Sequence, residues 1–407
     1  MHIIDTLKER GFVAQITREQ ELREALSAGP VTLYVGFDPS GDSLHVGHLL
    51  PIMVMGWLQR AGHKVIAVVG GGTGRIGDPS GKTEMRKLLT DERIEHNIKG
   101  LTAQLVRFIE IDDDKGRIVN NADWLLELNY ISFLREIGSK FSVNRMLAAE
   151  AYKQRLETGL SFIEFNYQIL QAYDFLQLNR QYNCTLQVGG DDQWGNIIAG
   201  TDLIRRETEN TAFGLTIPLL TTATGAKMGK TAKGAVWLDT EKLSAFDYYQ
   251  YWLNVDDRDV TKLLKLYTLL PMSTIGELGA LTGADIRKAK AVLAFETTKL
   301  AHGEDAAVAA VAGAKAMLAG AGSAEMPTHS VTTAALSEGL MLIQVLADSG
   351  MTKSNGEGRR LIKGGGVKLN NARVTDPNAN LSSADFSPDA VIRVGKKRAL
   401  KVTTGDA

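Results

Sequence analysis

The sequence predicts an α/β fold in which a parallel-sheet domain is followed by an all-α region and a small basic α+β module. Three observations predict it. Short apolar runs near the start alternate with amphipathic stretches, the pattern of β-α-β units and a parallel sheet. Sheet signals stop beyond Trp237, and residues 246–319 are typical of helices. The last segment combines a helix from about Met341 with a strand near Val391.

Composition indicates an ordinary globular chain. Its 407 residues suggest two or three domains, and 44% of them are hydrophobic while 23% are charged. We expect no signal peptide and no membrane span, because the apolar runs are short or interrupted. The single cysteine, Cys184, excludes an internal disulfide, so a reducing cytoplasm is the expected location.

Charge is distributed unevenly along the chain. From Leu340 to the end there are eleven basic and six acidic residues, although the whole chain has a net charge of only −1. A basic terminal module on an otherwise acidic body favours a polyanionic partner, most simply a nucleic acid.

The first motif runs from Tyr34 to His48. Residues 31–37 predict a buried strand, the next residues a turn, and Asp42 or Ser43 is the expected N-cap of a helix from Leu44 to about Arg60. The two histidines then share one face of a helix N-terminus, where an anion such as phosphate is stabilised. Two surface histidines remain possible, but a zinc site is disfavoured because no companion His or Cys cluster exists.

A second strand over residues 63–70 leads into a glycine-rich loop that matches two familiar motifs imperfectly. Gly72-x-Gly74-x-x-Gly77 matches a dinucleotide fingerprint, but residues 78–81 (Asp-Pro-Ser-Gly) break the helix it requires. A P-loop fails because Ile76 stands where its first glycine belongs. An NAD-dependent enzyme therefore stays open as an alternative.

Further motifs follow in order. An amphipathic helix is expected over 91–112 and a short strand over 115–119, and residues 129–176 are mostly helical. Tyr167, Gln171 and Asp174 form one polar stripe on that helix, which either faces solvent or meets a partner. Residues 185–196 then repeat strand, glycine loop and helix start, with Asp192 and Gln193 at the carboxyl end of the strand.

A lysine loop follows the strand predicted near residues 215–220. Lys227, Lys230 and Lys233 are spaced by three among glycines. Such a loop suits a triphosphate or pyrophosphate, although a solvated hairpin has the same composition.

Taken together, the order and spacing of these motifs resemble the bacterial tyrosyl-tRNA synthetases, which are class I aminoacyl-tRNA synthetases. The likeness covers essentially the whole chain and includes a tail similar to a small RNA-binding module. Two departures are modest: Gly229-Lys-Thr replaces the Ser-Lys-Ser common in class I enzymes, and Ser40 stands where many relatives have threonine. Both retain the lysine or the hydroxyl.

The resemblance implies three domains and a linker. A Rossmann-like catalytic domain would occupy residues 1–240, a helical anticodon-side domain 241–320, a linker 321–338, and a basic RNA-binding module 339–407. It also implies a homodimer, for which apolar stretches at 130–134 and 141–146 are weak support. In the module, the residues expected to contact tRNA are Arg359, Arg360, Lys363 and Lys368.

The implied reaction joins tyrosine to ATP, releases pyrophosphate, and transfers the tyrosyl group to the 3′ end of tRNA(Tyr). Tyr34 and Asp174 would bond the phenol hydroxyl, and Asp78, Tyr167 and Gln171 would hold the ammonium group. A site that bonds a buried hydroxyl rejects phenylalanine by about 10⁴ to 10⁵, and tyrosyl enzymes are the known example.

The remaining residues would serve ATP. The ribose and α-phosphate region would be lined by Asp38, Asp192 and Gln193, with backbone access at Gly36 and Gly47. The resemblance implies that His45 and Ser40 bind the γ-phosphate and that His48 binds the ribose. It also implies that the polyphosphate is bound by Lys82, Arg86, Lys227, Lys230 and Lys233. Magnesium would accompany ATP without a protein cage, and no tightly bound cofactor or metal site is expected.

Two alternatives to the function implied by the resemblance are considered. Tryptophanyl-tRNA synthetase is a close structural relative, but Tyr34 and Asp174 suit a phenol and the basic module argues against it. A regulatory RNA-binding protein built on a synthetase body would be expected to have damaged histidine and lysine motifs, and here they are intact.

Overall fold

The computed structural model describes residues 1–81, 88–223, 225, 228–231, 234–319, 327–386, 389–395 and 398–405. Two compact units divide the chain. The first contains Met1–Ser244 and Leu253–Ala301, and the second contains Ala245–Trp252 and His302–Ala407.

Strands of the first unit form a six-stranded sheet in the order β1-β6-β5-β2-β3-β4. They are β1 Gln15–Ile16, β2 Thr32–Phe37, β3 Lys64–Val69, β4 Gly116–Asn120, β5 Cys184–Gly190 and β6 Phe213–Ile217. All neighbours pair in parallel except β1, which runs antiparallel to β6. A short antiparallel pair, β7 Lys230–Thr231 and β8 Gly234–Ala235, stands apart from this sheet.

The helices fill the connections between strands. The first ten are α1 Ile3–Arg10, α2 Glu19–Ala28, α3 Val46–Arg60, α4 Asp91–Leu105, α5 Ala122–Leu125, α6 Tyr130–Glu136, α7 Val143–Leu147, α8 Glu150–Thr158, α9 Phe162–Tyr182 and α10 Trp194–Thr208. The others are α11 Ala245–Leu253, α12 Val260–Tyr267, α13 Met272–Gly279, α14 Ile286–His302, α15 Glu304–Ala319, α16 Thr333–Ser337, α17 Leu342–Asp348 and α18 Asn355–Lys363.

The parallel sheet explains why β2 and β3 are almost entirely apolar. Parallel strands are covered on both faces, so both sets of side chains are buried. Tyr34 and Val68 from these strands join Phe175 of α9 and Cys184 of β5 in one hydrophobic cluster. The mixed α/β fold with a parallel sheet confirms the fold class predicted from the sequence.

Some predicted boundaries are shifted for visible reasons. The strand expected over 215–220 ends at Ile217, because Pro218 cannot donate a ladder hydrogen bond. The helix expected over 91–112 ends at Leu105, and the chain then makes tight turns around Asp112. Pro51 lies inside α3, which nevertheless runs from Val46 to Arg60.

The second unit has its own sheet and core. Its strands are β9 Thr328–Thr332, β10 Val367–Leu369, β11 Ala372–Val374, β12 Ala390–Val394 and β13 Arg398–Gly405. They pair in the order β11-β10-β12-β13-β9, antiparallel except for β13 with β9. Leu346 of α17 and Ile362 of α18 pack into the core of this sheet.

Candidate active site

A cavity of about 500 Å³ opens at the carboxyl ends of the parallel strands in the first unit. This is the place where open parallel sheets bind ligands. The sequence-predicted residues that line it are Tyr34, Gly36, Asp38, Ser40, His45, Gly47, His48, Asp78, Tyr167, Gln171, Asp174, Asp192 and Gln193. Four segments far apart in sequence therefore meet around one space. The role of each residue stays a prediction.

One end of the cavity is built around Asp174 on α9, which is only 4% exposed. Its carboxylate accepts hydrogen bonds from Asn121 Nδ2 at 2.9 Å and from Trp124 Nε1 at 2.7 Å. Burial nevertheless raises the pKa of Asp174 to about 8, since the two donors offset only part of the desolvation penalty.

Tyr34 contributes a second polar atom to the same end. Its hydroxyl is buried and has no hydrogen-bond partner among the described residues. Burial, followed by the charge of Asp174, raises the pKa of Tyr34 well above its ordinary value, so the phenol stays neutral. A buried hydroxyl without a partner costs free energy, which a ligand hydroxyl at this position would recover.

A chain of hydrogen bonds connects Asp174 to the neighbouring strand. Asn121 Nδ2 also donates to Thr73 Oγ1 at 2.9 Å, and Thr73 Oγ1 donates to Asp38 Oδ1 at 2.8 Å. Tyr167 donates its hydroxyl to Asp38 Oδ2 at 2.9 Å. Three loops and one helix are thereby fixed relative to one another before any ligand arrives.

A third carboxylate, that of Asp78, also lines the cavity and is almost buried. Gln193 Nε2 donates to Asp78 Oδ2 at 2.6 Å, and the backbone N–H of Ser80 donates to Oδ1 at 2.9 Å. Asn196 Nδ2 lies 3.0 Å from Gln171 Oε1 and 3.1 Å from Gln193 Oε1. A carboxylate surrounded by amides is suited to hold a cation such as an ammonium group.

The other end of the cavity carries the two histidines, and here the predicted helix start is wrong. Val46 begins α3 and His45, rather than Asp42 or Ser43, is the N-cap. The Ser43 hydroxyl accepts a hydrogen bond from Gln104 Nε2 at 3.1 Å and donates to the Leu44 carbonyl at 2.8 Å. Instead His45 Nδ1 accepts from the Gly47 N–H, and His48 Nδ1 accepts from the His45 N–H, both at 3.0 Å.

This reciprocal capping determines the chemistry of both rings. A ring nitrogen that accepts an N–H carries no proton, so each neutral imidazole has its proton on Nε2. The two rings stack with centroids 3.9 Å apart. A Cβ on Gly47 would lie 2.8 Å from the His45 ring, so any side chain at this position would displace that ring. The pair therefore offers two Nε2 donors beside a helix N-terminus.

Helix α4 supports the loop that carries His45, which the sequence pattern did not reveal. Asn97 Nδ2 donates to the Pro39 carbonyl at 2.8 Å, and Gln104 Oε1 accepts from the Leu44 N–H at 2.9 Å. Gly100 lies between them, where a Cβ would overlap the backbone oxygen of Asp42. The sequence pattern indicates only an amphipathic helix here, because nothing local distinguishes a buried amide from a solvated one.

The glycine-rich loop after β3 does not form the helix of a dinucleotide fingerprint. A single 3₁₀ turn, Thr73–Arg75, follows Gly72, and Gly77 and Gly81 have φ angles of 89° and 65°. Such left-handed backbone favours glycine and marks turns rather than a helix start. Lys82 and Arg86, predicted beyond this loop, lie outside the described residues.

The lysine loop is described only in part. Lys227 and Lys233 lie outside the described residues, and for Lys230 only the backbone is described. Among the residues that are described, the Val236 N–H donates to the Gly229 carbonyl at 2.8 Å. The base of the loop is thereby closed.

Within the described ranges, no group of three His, Cys, Asp or Glu side chains is arranged to hold a metal ion. No helix in the part of the chain that the structure describes has the length and apolarity needed to cross a bilayer.

Comparisons with known proteins cover the whole chain. The family profile described as tRNA synthetases class I (W and Y) matches residues 26–319, and a tyrosine–tRNA ligase C-terminal domain profile matches 320–401. A tyrosine–tRNA ligase of Clostridium tetani is 52% identical over 97% of both chains. One of Clostridium botulinum is 53% identical over 97% of this chain and 98% of the relative.

Solved structures agree with the sequence comparisons. A C-terminally truncated mitochondrial tyrosyl-tRNA synthetase of Aspergillus nidulans has a TM-score of 0.70 at 29% identity, covering 78% of this chain and 94% of its own. A tryptophanyl-tRNA synthetase of Encephalitozoon cuniculi has a TM-score of 0.58 at 14% identity, over 75% of this chain and 87% of its own. The latter likeness shows the fold alone.

Proposed function

The chain belongs to the tyrosine–tRNA ligases, a family of class I aminoacyl-tRNA synthetases, and from that premise we propose which residues carry each step. It activates L-tyrosine with ATP to give tyrosyl-adenylate and pyrophosphate, and then transfers tyrosine to the 3′ end of tRNA(Tyr). The alternative of an NAD-dependent enzyme is excluded.

The phenol of tyrosine binds between Asp174 and Tyr34. The observation that carries this assignment is a buried carboxylate, already held by Asn121 and Trp124, close to a buried hydroxyl that lacks a partner. A phenol hydroxyl both donates and accepts, so it satisfies Asp174 and Tyr34 together. Phenylalanine leaves both unsatisfied, which is the basis of rejection without editing.

The same pair disfavours tryptophan as substrate. An indole N–H donates but cannot accept, so it pairs with Asp174 and leaves the Tyr34 hydroxyl with no acceptor.

The ammonium group of tyrosine is held by Asp78, Gln171 and Tyr167. Asp78 supports this role because its carboxylate is nearly buried and aligned by Gln193.

Activation needs no nucleophile from the protein. A carboxylate oxygen of tyrosine attacks the α-phosphorus, a carboxylate-to-phosphorus bond forms, and the bond to the β-phosphate oxygen breaks with its electrons on pyrophosphate. His45 with Ser40, and the lysine loop, stabilise the charge that develops there. The contacts strengthen only as the bond breaks, so they raise the rate rather than the affinity.

The remaining phosphate-side roles are assigned as follows. Asp38, Asp192 and Gln193 line the ribose and α-phosphate region, Gly36 and Gly47 give backbone access, and His48 contacts the ribose. The polyphosphate is held by Lys82, Arg86, Lys227, Lys230 and Lys233. Magnesium enters with ATP and is held mainly by its phosphates, since the Asp38 and Asp78 carboxylates already accept hydrogen bonds from protein donors.

The C-terminal module binds tRNA through its basic surface. Lys368 on β10 lies directly opposite Arg373 on one side and Arg393 on the other. Like charges in register across strands destabilise a sheet, and a polyanion relieves the repulsion. Arg359, Arg360 and Lys363 on α18 are exposed and add to the same charge.

We propose that residues 1–240 are the catalytic domain, 241–320 a helical anticodon-side domain, 321–338 a linker and 339–407 the RNA-binding module. We also propose a cytoplasmic homodimer. Ile131 and Phe162 are each 71% exposed and Tyr130 is 57% exposed, and a subunit interface would cover these large apolar side chains. Light scattering tests the dimer, and Ile131→Asp is expected to give a monomer.

The proposed function is tested by ATP–pyrophosphate exchange with each of the twenty amino acids and no tRNA. Exchange with tyrosine alone is expected. Exchange with tryptophan moves the assignment to the sister enzyme. No exchange with any amino acid leaves an RNA-binding protein and overturns the catalytic roles.

A further inference from the structure

The chain segment that follows the lysine loop is joined to the start of α3. The Val46 N–H donates to the Val236 carbonyl, and the Leu238 N–H donates to the Leu44 carbonyl, both at 2.9 Å. His45 and Trp237 are consequently opposite partners in a short antiparallel bridge. The two signature motifs, more than 180 residues apart in sequence, share a backbone contact at the residue that caps the helix.

The side chain of Trp237 fills the space beside this bridge. Its ring meets the His45 ring edge-on, with centroids 6.1 Å apart and planes at 61°. Lys242 Nζ lies 5.4 Å from the centre of the Trp237 ring. Lys242 Nζ also pairs with Asp42 Oδ1 at 2.7 Å, and this contact holds the pKa of Asp42 below its usual value. The ring is thus held between His45 and an ion pair.

Trp237, Lys242 and Asp42 are not among the described residues that line the cavity. The described contacts between Trp237 and the cavity lining are made with His45, so we expect an effect on the reaction to pass through the histidine loop. Asp42 belongs to that loop, and a Cβ on its neighbour Gly41 would lie 3.9 Å from the Trp237 ring. The tryptophan therefore packs against the loop at two points, Gly41 and His45.

We propose that Trp237, together with the Lys242–Asp42 ion pair, is a positioning device that fixes the His45 ring for the release of pyrophosphate. We name this group the tryptophan clamp. The inference rests on the proposed role of His45 at the phosphates. A donor stabilises a transition state only where its atom is held in place, and a displacement of about 1 Å can cost about 100-fold in rate.

The ion pair of the tryptophan clamp can be removed without a large loss of folding stability. Lys242 and Asp42 are 32% and 20% exposed, and ion pairs of this kind contribute little to stability because water and salt screen them. Replacing Lys242 by methionine keeps most of the unbranched side chain while removing the charge. The variant is therefore expected to fold like the parent protein.

The experiment compares Trp237→Leu, Trp237→Phe and Lys242→Met in the full chain. Two quantities are measured: the equilibrium dissociation constant for tyrosine without ATP, and the single-turnover rate of tyrosyl-adenylate formation. Trp237→Leu is expected to lower the rate by about 10- to 100-fold with tyrosine affinity unchanged. Trp237→Phe restores most of the rate, and Lys242→Met has a smaller effect of the same kind.

A double variant distinguishes positioning from general damage. If Trp237 acts through His45, adding Trp237→Leu to His45→Ala lowers the rate no further, because the group being positioned is already absent. Lys64→Met is the matched control, since it breaks the ion pair with Asp114 at an exposed site that does not line the cavity.

Three results overturn the clamp: an unchanged rate in Trp237→Leu, a loss of tyrosine affinity that accounts for the loss of rate, or fully additive effects with His45→Ala. If Trp237→Leu does not fold, Trp237→Phe and Lys242→Met are combined with His45→Ala and decide by the same criterion. Absence of tyrosine-dependent exchange in the parent protein is a failure of the proposed function instead. If the parent protein shows normal exchange and the exchange falls in His45→Ala but not in the Trp237 variants, the tryptophan clamp is refuted and the proposed function is not.

Discussion

The tyrosine end and the phosphate end of the cavity are built in different ways. At the tyrosine end, one helix supplies Tyr167, Gln171 and Asp174, and side-chain hydrogen bonds hold them in place. At the phosphate end, the backbone of the histidine loop is held by distant segments, through the side chains of Asn97 and Gln104 on one side and the Val236 carbonyl on the other.

We expect the tyrosine end to determine the affinity for the amino acid and the phosphate end to determine the rate of tyrosyl-adenylate formation. Buried groups with fixed partners are complementary to the substrate before it arrives, so they determine which amino acid enters. Donors on loops are useful only when charge develops on the phosphates, so they determine how fast the reaction proceeds. Variants at the two ends should therefore change different measured quantities.

The largest effect is expected from Asp174→Ala at the tyrosine end. The change removes the acceptor for the phenol and also the acceptor for Trp124 Nε1, while Asn121 Nδ2 keeps only its bond to Thr73. We expect tyrosine-dependent pyrophosphate exchange to fall by about 1,000-fold or more, mostly through weaker tyrosine binding. Asp114→Ala, which removes an exposed carboxylate, serves as control and should leave exchange unchanged. Full tyrosine affinity in Asp174→Ala would refute the tyrosine pocket.

His45→Ala is expected to have the next largest effect, at the phosphate end. Losing one preorganised donor at a developing charge lowers the rate by about 100- to 1,000-fold. Tyrosine affinity without ATP should stay within twofold of the parent value, because the hydrogen bonds that hold the Asp174 carboxylate come from Asn121 and Trp124 and not from the histidine loop. Stopped-flow fluorescence measures the rate and equilibrium dialysis the affinity. A parallel loss of affinity would show that the two ends are not separable.

A smaller effect is expected where α4 supports the histidine loop. In Gly100→Ala the new Cβ overlaps the Asp42 backbone oxygen, so the helix or the loop must move. Overpacking of this kind costs about 1–3 kcal/mol, measurable by urea unfolding. The matched control is Gly276→Ala in α13, where a Cβ meets nothing within 4 Å and alanine should stabilise by about 0.5–1 kcal/mol. Equal stabilities for the two variants would contradict this packing.

The subtlest effect concerns pH and the stability of the tyrosine end. Burial raises the pKa of Asp174 to about 8, whereas the unfolded chain has an ordinary Asp pKa near 3.9. Between these values the folded state binds more protons, so this group lowers stability progressively as pH rises from about 4 to 8. Asp174→Asn does not titrate, so its melting temperature relative to the parent should increase from pH 5 to pH 8.5. A constant difference would show that Asp174 titrates normally in the fold.

Most of the elements that carry the site were predictable from sequence. The apolar runs of β2 and β3 marked a parallel sheet, and in such a sheet the residues after each strand converge at one edge. The stripe of Tyr167, Gln171 and Asp174 followed from helical periodicity. These features are local, so a pattern of a few residues contains them.

The supporting residues were not predictable, and the reason is physical. Asn121, Asn97 and Trp237 act through partners about 50 to 190 residues away, and nothing in their own neighbourhoods marks them. The N-cap was wrong for the same reason. Propensity favours Asp42 and Ser43, but Lys242 pairs with the Asp42 side chain, Gln104 donates to the Ser43 hydroxyl, and the His45 ring caps the helix instead.

The most direct test of the central claim is the binding of tyrosine and phenylalanine to the parent protein without ATP. If the tyrosine end is already formed, tyrosine binds much more tightly than phenylalanine even without ATP, because phenylalanine leaves the buried groups of Asp174 and Tyr34 unsatisfied. If the two amino acids bind with similar affinity until ATP is added, the pocket is assembled by the nucleotide, and the separation of binding from rate is wrong.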